Sequence, residues 1–167
     1  VILCGASAVL IISHHQGATT YFRVLFGNRF DTTPVANVLP YFWWFGASLV
    51  LYLLVPLALS FVTRGSFTRA YGLGLGDFKA GAGISALLIG VMLPAVYYAS
   101  TTRAFAGQYP LAGQSAFTLT FPGGAKAISW KLFFIYELCY FLYFVGWEFL
   151  FRGWMLNGLL PKFGRSG

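Results

Sequence analysis

The sequence predicts an all-α, polytopic helical membrane protein, with about four membrane helices in this fragment of a larger bundle. Of its 167 residues 58% are hydrophobic and only 9% are charged, and the mean hydropathy is +0.72. A soluble domain of this size needs more polar surface than that. Long uncharged runs supply the individual spans, because a helix needs about 20 mainly apolar residues to cross the hydrocarbon core.

The net charge of +7 arises from 11 Lys and Arg against 4 Asp and Glu. The basic residues are scattered singly between apolar runs, which is typical of membrane-protein loops, whereas nucleic-acid binding requires a basic patch. The predicted partner is therefore the lipid bilayer and not nucleic acid. The most basic short loop is 64–80, and the positive-inside rule weakly favours the cytoplasmic side for it.

Residues 1–12 are interpreted as the remnant of a first membrane helix. They have no basic flank before them and no small-residue cleavage site after them, so they do not resemble a signal peptide. The chain begins at Val1 and ends at "GRSG" soon after an apolar run, so we expect a fragment that lacks sequence at one end or both. We divide it into 1–40, a truncated first membrane helix with its loop, and 41–167, the N-terminal part of a membrane domain that is incomplete at its C-terminus.

The first full span is predicted at 41–63, which is uncharged and has an aromatic cluster at its start, where an interfacial belt would lie. Pro56 is a candidate kink, which membrane helices tolerate. The second span is predicted at 81–101, where glycine and alanine suit close helix packing. We expect Pro94 to break this second helix.

The third span lies in the long run 127–160. A helix of that length would extend about 50 Å, against a hydrocarbon core of about 30 Å. It must tilt strongly, leave the bilayer or break, and Gly146 and Gly153 are the candidate break points. The preceding segment, 102–126, is rich in Gly, Pro, Ser and Thr and is predicted to be an ordered or re-entrant loop at the membrane surface.

The two cysteines, Cys4 and Cys139, lie far apart in apolar runs. They indicate neither a disulfide framework nor a zinc site. We therefore predict two buried free thiols.

Three ionisable residues in the last span need an explanation: Glu137, Glu148 and Arg152. On a helix that advances about 100° per residue they share one face, together with Phe141 and Phe144. Charges on a membrane helix are expected to avoid lipid. This face is therefore predicted to point into a protein interior or a wet cavity.

Glu148 and Arg152 are spaced for an i,i+4 ion pair, but the pair does not offset its own insertion cost. Each charge at the centre of a bilayer helix costs about 2.5–3.5 kcal/mol, and the pair recovers about 0.2–0.5 kcal/mol in water. Either other polar groups complete a network around it or the site is functional. The alternative is an interfacial ion pair at the point where the helix meets water, with Arg152 snorkelling.

The segment "EFLFRGWML", residues 148–156, resembles the first signature of the CPBP family of intramembrane endopeptidases, the CAAX prenyl protease and Abi group. That signature is usually E-E-x-x-x-R, and residues 148–153 match its second half. The upstream "YGLGLGDFKAG", residues 71–81, is similar to the segment that precedes a membrane helix in many bacterial members. The resemblance covers about residues 65–163.

The resemblance implies a multi-helix membrane protease in a bacterial or archaeal cytoplasmic membrane. In this family a glutamate pair and histidines on later helices activate a water that attacks a peptide bond near the membrane surface. By this resemblance Glu148 is a catalytic carboxylate, Arg152 is its positioning partner, and the substrate is a peptide or a prenylated protein. The cofactor stays unknown, and a divalent metal such as zinc would need its remaining ligands from outside this fragment.

One departure concerns the family's leading glutamate, because Trp147 stands at its position. Either Glu148 serves as the base, or the protein is a catalytically inactive CPBP-like membrane protein in immunity or partner binding. Glu137 lies about 16 Å from Glu148 along a straight helix, too far to share one water. A third alternative is a transporter or channel subunit in which the charged face lines a polar pathway.

The other departure concerns histidine. The chain contains only His14 and His15, which are interpreted as polar residues at the end of the truncated first span, since adjacent residues make a geometrically poor metal site. The family's later histidine motifs would lie beyond residue 167. We therefore do not expect this fragment alone to be an active protease.

Overall fold

The computed structural model of the chain describes residues 2–63, 78–120 and 126–163. The described residues are mainly helical, with one antiparallel hairpin in which Leu119 pairs with Ala127, so the prediction of an all-α chain is confirmed with this small addition. In chain order the elements are α1 (Ile2–Gln16), α2 (Thr19–Phe26), α3 (Leu39–Leu49), the π-helical segment π1 (Val50–Leu54), α4 (Val55–Thr63), α5 (Phe78–Ser100), α6 (Arg103–Gln108), a 3-10 turn (Gln114–Phe117), β1 (Thr118–Thr120), β2 (Lys126–Ile128), α7 (Trp130–Glu148), the π-helical segment π2 (Phe149–Leu156) and α8 (Asn157–Phe163).

Three helices in the described residues are long and apolar enough to cross a membrane. They are the first span (Leu39–Phe61), the middle span (Phe78–Ser100) and the last span (Trp130–Leu160). Their positions agree with the predicted runs, and the chain is consistent with a membrane protein. The predicted count of four is not supported, because α1 has 15 residues and a crossing needs about 20.

By contacts the chain divides into two compact units, Val1–Leu73 with Ala116–Gly167, and Gly74–Ser115. We call the assembly of α1, the first span and the last span the three-helix unit. The first and last spans run parallel in it. Near their starts the rings of Tyr41 and Tyr136 lie 6.1 Å apart, and further along, a Cβ on Gly146 would lie 3.6 Å from the Cα of Leu49.

Helix α1 runs antiparallel to these two spans. At its C-terminal end the carbonyl of Gln16 accepts a 3.0 Å hydrogen bond from the indole N–H of Trp43, near the start of the first span. At its N-terminal end Gly5 lies against the ring of Trp154, near the end of the last span. The absence of a side chain on Gly5 permits this contact, since a Cβ there would lie 2.8 Å from the Trp154 ring.

The core of the three-helix unit lies where π1, π2 and α1 meet. Its buried residues are Ala6, Val9, Tyr52, Phe149, Leu150 and Trp154. Trp154 is only 2% exposed, so it contributes one of the largest apolar surfaces to this core. In lipid such packing is held by van der Waals contact rather than by the hydrophobic effect.

The two π-helical segments follow local sequence features. Pro56 has no N–H to donate to the carbonyl four residues earlier, and the wider π1 turn ends just before it, so the candidate kink site carries a change of helical hydrogen bonding. In the last span, a break at Gly146 or Gly153 was one of three predicted alternatives. It does not occur, because the chain stays helical from α7 through π2 to α8, which leaves a strong tilt or an exit from the bilayer. Gly153 lies within π2, whereas Gly146 packs against Tyr52.

The second unit contains α5 and α6. No residue of α5 is buried, and Pro94 lies inside an uninterrupted helix, so the predicted break at Pro94 is wrong. Membrane helices tolerate proline because local adjustments satisfy the freed backbone groups. Helix α6 is capped at its N-terminus by Thr102, whose hydroxyl accepts a hydrogen bond from the Phe105 N–H.

Parts of the two predicted loops lie within the described residues, and so do both cysteines. The segment predicted as an ordered or re-entrant loop, 102–126, contains α6, the 3-10 turn and β1, while 121–125 lie outside the described residues. The predicted basic loop 64–80 and the segment 71–81 lie outside them up to residue 77. Cys4 is exposed and Cys139 is partly buried, so the prediction of two buried thiols is wrong.

Candidate functional site

Glu148 and Arg152 form the ion pair that their spacing predicts. The Nε of Arg152 lies 2.9 Å from Oε2 of Glu148, but the two side chains are 79% and 48% exposed, respectively. This face was predicted to point into a protein interior or a wet cavity, and the described residues do not bury it in a protein interior. The opposite side of the helix is buried at Gly146, which faces Leu49 and Tyr52 of the first span.

The pair lies close to one end of the membrane-crossing length. Taken as a crossing that begins at Trp130, α7 reaches Glu148 after about 27 Å, nearly the full thickness of about 30 Å for the hydrocarbon core. Trp147, which is exposed, precedes the pair in sequence, and tryptophan is enriched at membrane interfaces. This position favours an interfacial ion pair, where water lowers the cost of the two charges.

The backbone around the pair changes its hydrogen bonding at this point. Glu148 is the last residue of α7, and Arg152 lies in the middle of π2. The side-chain amide of Asn157 donates a 3.0 Å hydrogen bond to the Arg152 carbonyl. Gly153 allows the Phe149 ring to lie against it, since a Cβ there would be 2.8 Å from that ring.

Trp147, at the position of the family's leading glutamate, contributes an aromatic surface beside the pair. Its ring centroid lies 4.8 Å from that of Phe151, one turn further along. Trp147 is exposed and Phe151 is half-buried. The described residues therefore present an aromatic pair beside the Glu148 carboxylate.

The other sequence-predicted residues are not brought to this site. Glu137 is half-buried in the same uninterrupted α7, and the helical rise places it about 16 Å from Glu148. His14 and His15 lie at the C-terminal end of α1, whereas Ala6, nearer its N-terminal end, joins the core cluster beside π2.

The resemblance raises the question of a divalent metal at this site. Among the described residues no group of three or more His, Cys, Asp or Glu could hold a metal ion, while a zinc site takes three or four protein ligands. Among the described residues, Glu148 is the only one that places a carboxylate at the ion pair with Arg152. The described residues by themselves therefore do not fit a zinc ion.

Sequence reasoning missed a second polar feature of the three-helix unit. A cavity of about 580 Å³, which we call the polar cavity, lies between α1, α2, the first span and α7. Its lining residues are Leu10, Ser13, His14, Ala18, Thr19, Trp44, Tyr52 and Tyr143. Ser13 and Tyr52 are 39 positions apart in sequence and meet only through the antiparallel packing of α1, so no local pattern signals their contact.

Neither a protein-family model, nor a curated protein, nor a solved structure matches this chain. The resemblance to the CPBP signature therefore stands on residues 148–156 and 71–81 themselves.

Proposed function

We propose that this chain belongs to an intramembrane endopeptidase of the CPBP type, with Glu148 as a catalytic carboxylate and Arg152 as its positioning partner. The observation that carries the proposal is the 2.9 Å ion pair between them at the junction of α7 and π2. Departures from α-helical hydrogen bonding of this kind are frequent at functional sites. The interfacial level of the pair is also where water and a membrane-anchored peptide meet.

The geometry suits general-base catalysis. Arg152 holds Oε2 of Glu148, and the other carboxylate oxygen stays available to accept a proton from a water molecule. That water would add to the peptide carbonyl, and the proton would pass on to the leaving amine. Histidines from outside residues 1–167 would complete the site, and the substrate is a peptide or a prenylated protein.

The test uses the protein expressed from its full open reading frame and reconstituted in liposomes, with an internally quenched peptide library carried on a lipid anchor. Glu148→Gln should lower the cleavage rate by at least about 100-fold, the usual contribution of a general base. Glu137→Gln is the matched control, because it makes the same change about 16 Å away on the same helix. Equal cleavage by the wild-type protein and Glu148→Gln would contradict the assignment.

A catalytically inactive relative is the second candidate, favoured by the packing of Trp147 on Phe151 beside the pair. In that case the wild-type protein cleaves none of the library. Trp147→Glu, which restores the second acid of the signature, should then produce cleavage, and Trp147→Gln should not. A transporter subunit would instead show ion flux that depends on Glu137.

A further inference from the structure

The polar cavity contains a hydroxyl pair with more donors than the protein uses. Ser13 is 4% exposed and Tyr52 is 8% exposed, and their oxygens are joined by one 2.7 Å hydrogen bond. Two hydroxyls carry two protons, and this bond uses one of them. With Ser13 as the donor, the Tyr52 proton has no acceptor among the described residues, and a buried donor left unpaired is costly.

The other residues that line the polar cavity supply further hydrogen-bond donors. His14 and Thr19 lie at its more exposed side, and Thr19 and Tyr143 add a third and a fourth hydroxyl, while neither Asp nor Glu is among the lining residues. The cavity therefore offers donors and aromatic surface but no carboxylate to bind a cation. A ligand that complements it brings acceptor oxygens together with apolar surface.

The position of the cavity gives such a ligand access from the membrane interface. At the α1–α2 turn the cavity adjoins an aromatic cluster. In this cluster the ring centroid of Trp43 lies 5.9 Å from that of Phe26 and 6.5 Å from that of Phe22, and aromatic clusters of this kind are typical of a membrane interface. Tyr52 follows Trp44 by about two helical turns, which places it about 12 Å deeper along the first span. The lining thus runs from the interfacial level, where a lipid has its headgroup and glycerol esters, to the depth of the first part of its acyl chains.

We propose that the polar cavity binds a membrane lipid, whose ester or phosphate oxygens accept the hydrogen bond that the Ser13–Tyr52 pair has left to give. The volume of about 580 Å³ lies within the usual range of about 300–1,000 Å³ for small-molecule sites. Trp44 and Leu10 line the cavity beside this donor and would contact the apolar part of the lipid. This site is separate from the Glu148–Arg152 pair and does not depend on the proposed protease activity.

The experiment is a lipid titration of the detergent-purified protein by native mass spectrometry. The probes are dioleoyl phosphatidylglycerol, dioleoylglycerol and inorganic phosphate. The wild-type protein should bind one lipid tightly, and Tyr52→Phe should weaken this first binding step about fivefold, the effect of losing one hydrogen bond. The double variant Ser13→Ala/Tyr52→Phe should lose at least as much, because it removes both hydroxyls and keeps the ring.

Tyr97→Phe is the matched control, since it removes a tyrosine hydroxyl from an exposed residue of the middle span; its affinity should equal that of the wild-type protein. Ala18→Phe fills the cavity from the α1–α2 turn and should also reduce the first binding step. Binding of phosphatidylglycerol alone would show that the phosphate oxygens accept the hydrogen bond. Binding of both lipids would show that the ester oxygens accept it. Equal lipid affinity in the wild-type, double-variant and Ala18→Phe proteins would overturn the proposal, as would binding of inorganic phosphate in place of lipid.

Discussion

The middle and last spans have similar compositions but very different surroundings. Their most apolar windows have mean hydropathies of 1.8 and 1.4, yet the middle span buries no residue, whereas the last span packs on both α1 and the first span. The more apolar helix is the less buried one. Apolarity accounts for insertion into a membrane, while packing within it depends on small residues, aromatic rings and polar pairs.

The glycines of the two helices show the same difference. Gly146 in the last span faces Tyr52 and Leu49, and a Cβ built on it would lie in van der Waals contact with them, at 3.5–3.6 Å. A Cβ built on Gly83 or Gly90 in the middle span would have no neighbouring atom within 4 Å. A glycine therefore marks close helix packing only where a second helix supplies the facing surface.

The largest expected effect tests whether the core at π2 holds the three-helix unit together. Trp154→Ala should lower the free energy of unfolding by about 3–5 kcal/mol, because it leaves a large cavity between α1 and π2. The matched control is Trp130→Ala, at an exposed tryptophan of the same span, which should change it by less than about 1 kcal/mol. Unfolding by SDS titration measures both, and equal losses would contradict the described core.

The next effect compares the glycines directly. Gly5→Ala should lower the free energy of unfolding by about 1–3 kcal/mol, since its Cβ would lie 2.8 Å from the Trp154 ring. Gly90→Ala should be neutral or stabilising, because its Cβ enters open space and alanine is the better helix former. If Gly90→Ala proved the more damaging of the two, the middle span would be packed against another surface at Gly90.

The positions of the spans were predictable from the sequence, whereas their buried faces were not. Apolar runs located the first and last spans to within a few residues, because length and apolarity decide insertion. The face with Glu148 and Arg152, predicted to point into a protein interior or a wet cavity, is exposed in the described residues, and the side that carries Gly146 packs on Leu49 and Tyr52 instead. That contact depends on a partner more than 90 positions away.

The candidate site was predictable to a similar extent. The i,i+4 spacing predicted the ion pair, and the structure confirms the Glu148–Arg152 contact. The polar cavity was not predicted, since Ser13 and Tyr52 meet only after α1 folds back on the first span. Helical periodicity describes one helix at a time and carries no information on such contacts.

A smaller effect concerns the polar contact between helices. Tyr52→Phe removes the hydrogen bond from Ser13 and should lower the free energy of unfolding by about 0.6 kcal/mol, the average for such bonds in membrane proteins. The Ser13 hydroxyl can then bond within α1, as serine does in membrane helices, which keeps the loss small. SDS titration beside Tyr97→Phe, which should be silent, checks this, and a loss above about 2 kcal/mol would mean that the pair supports more of the core than its one bond.

The smallest expected effect separates stability from function at the ion pair. Arg152→Gln should lower the free energy of unfolding by about 0.2–1 kcal/mol, because both side chains are solvent-exposed in the three-helix unit. The same variant should impair cleavage far more strongly if Arg152 positions Glu148, so the two measurements diverge at a functional site and agree at a structural one. A stability loss of about 3–5 kcal/mol would show instead a buried pair, which would place further protein against π2 and return the pair to the interior that its charge predicts.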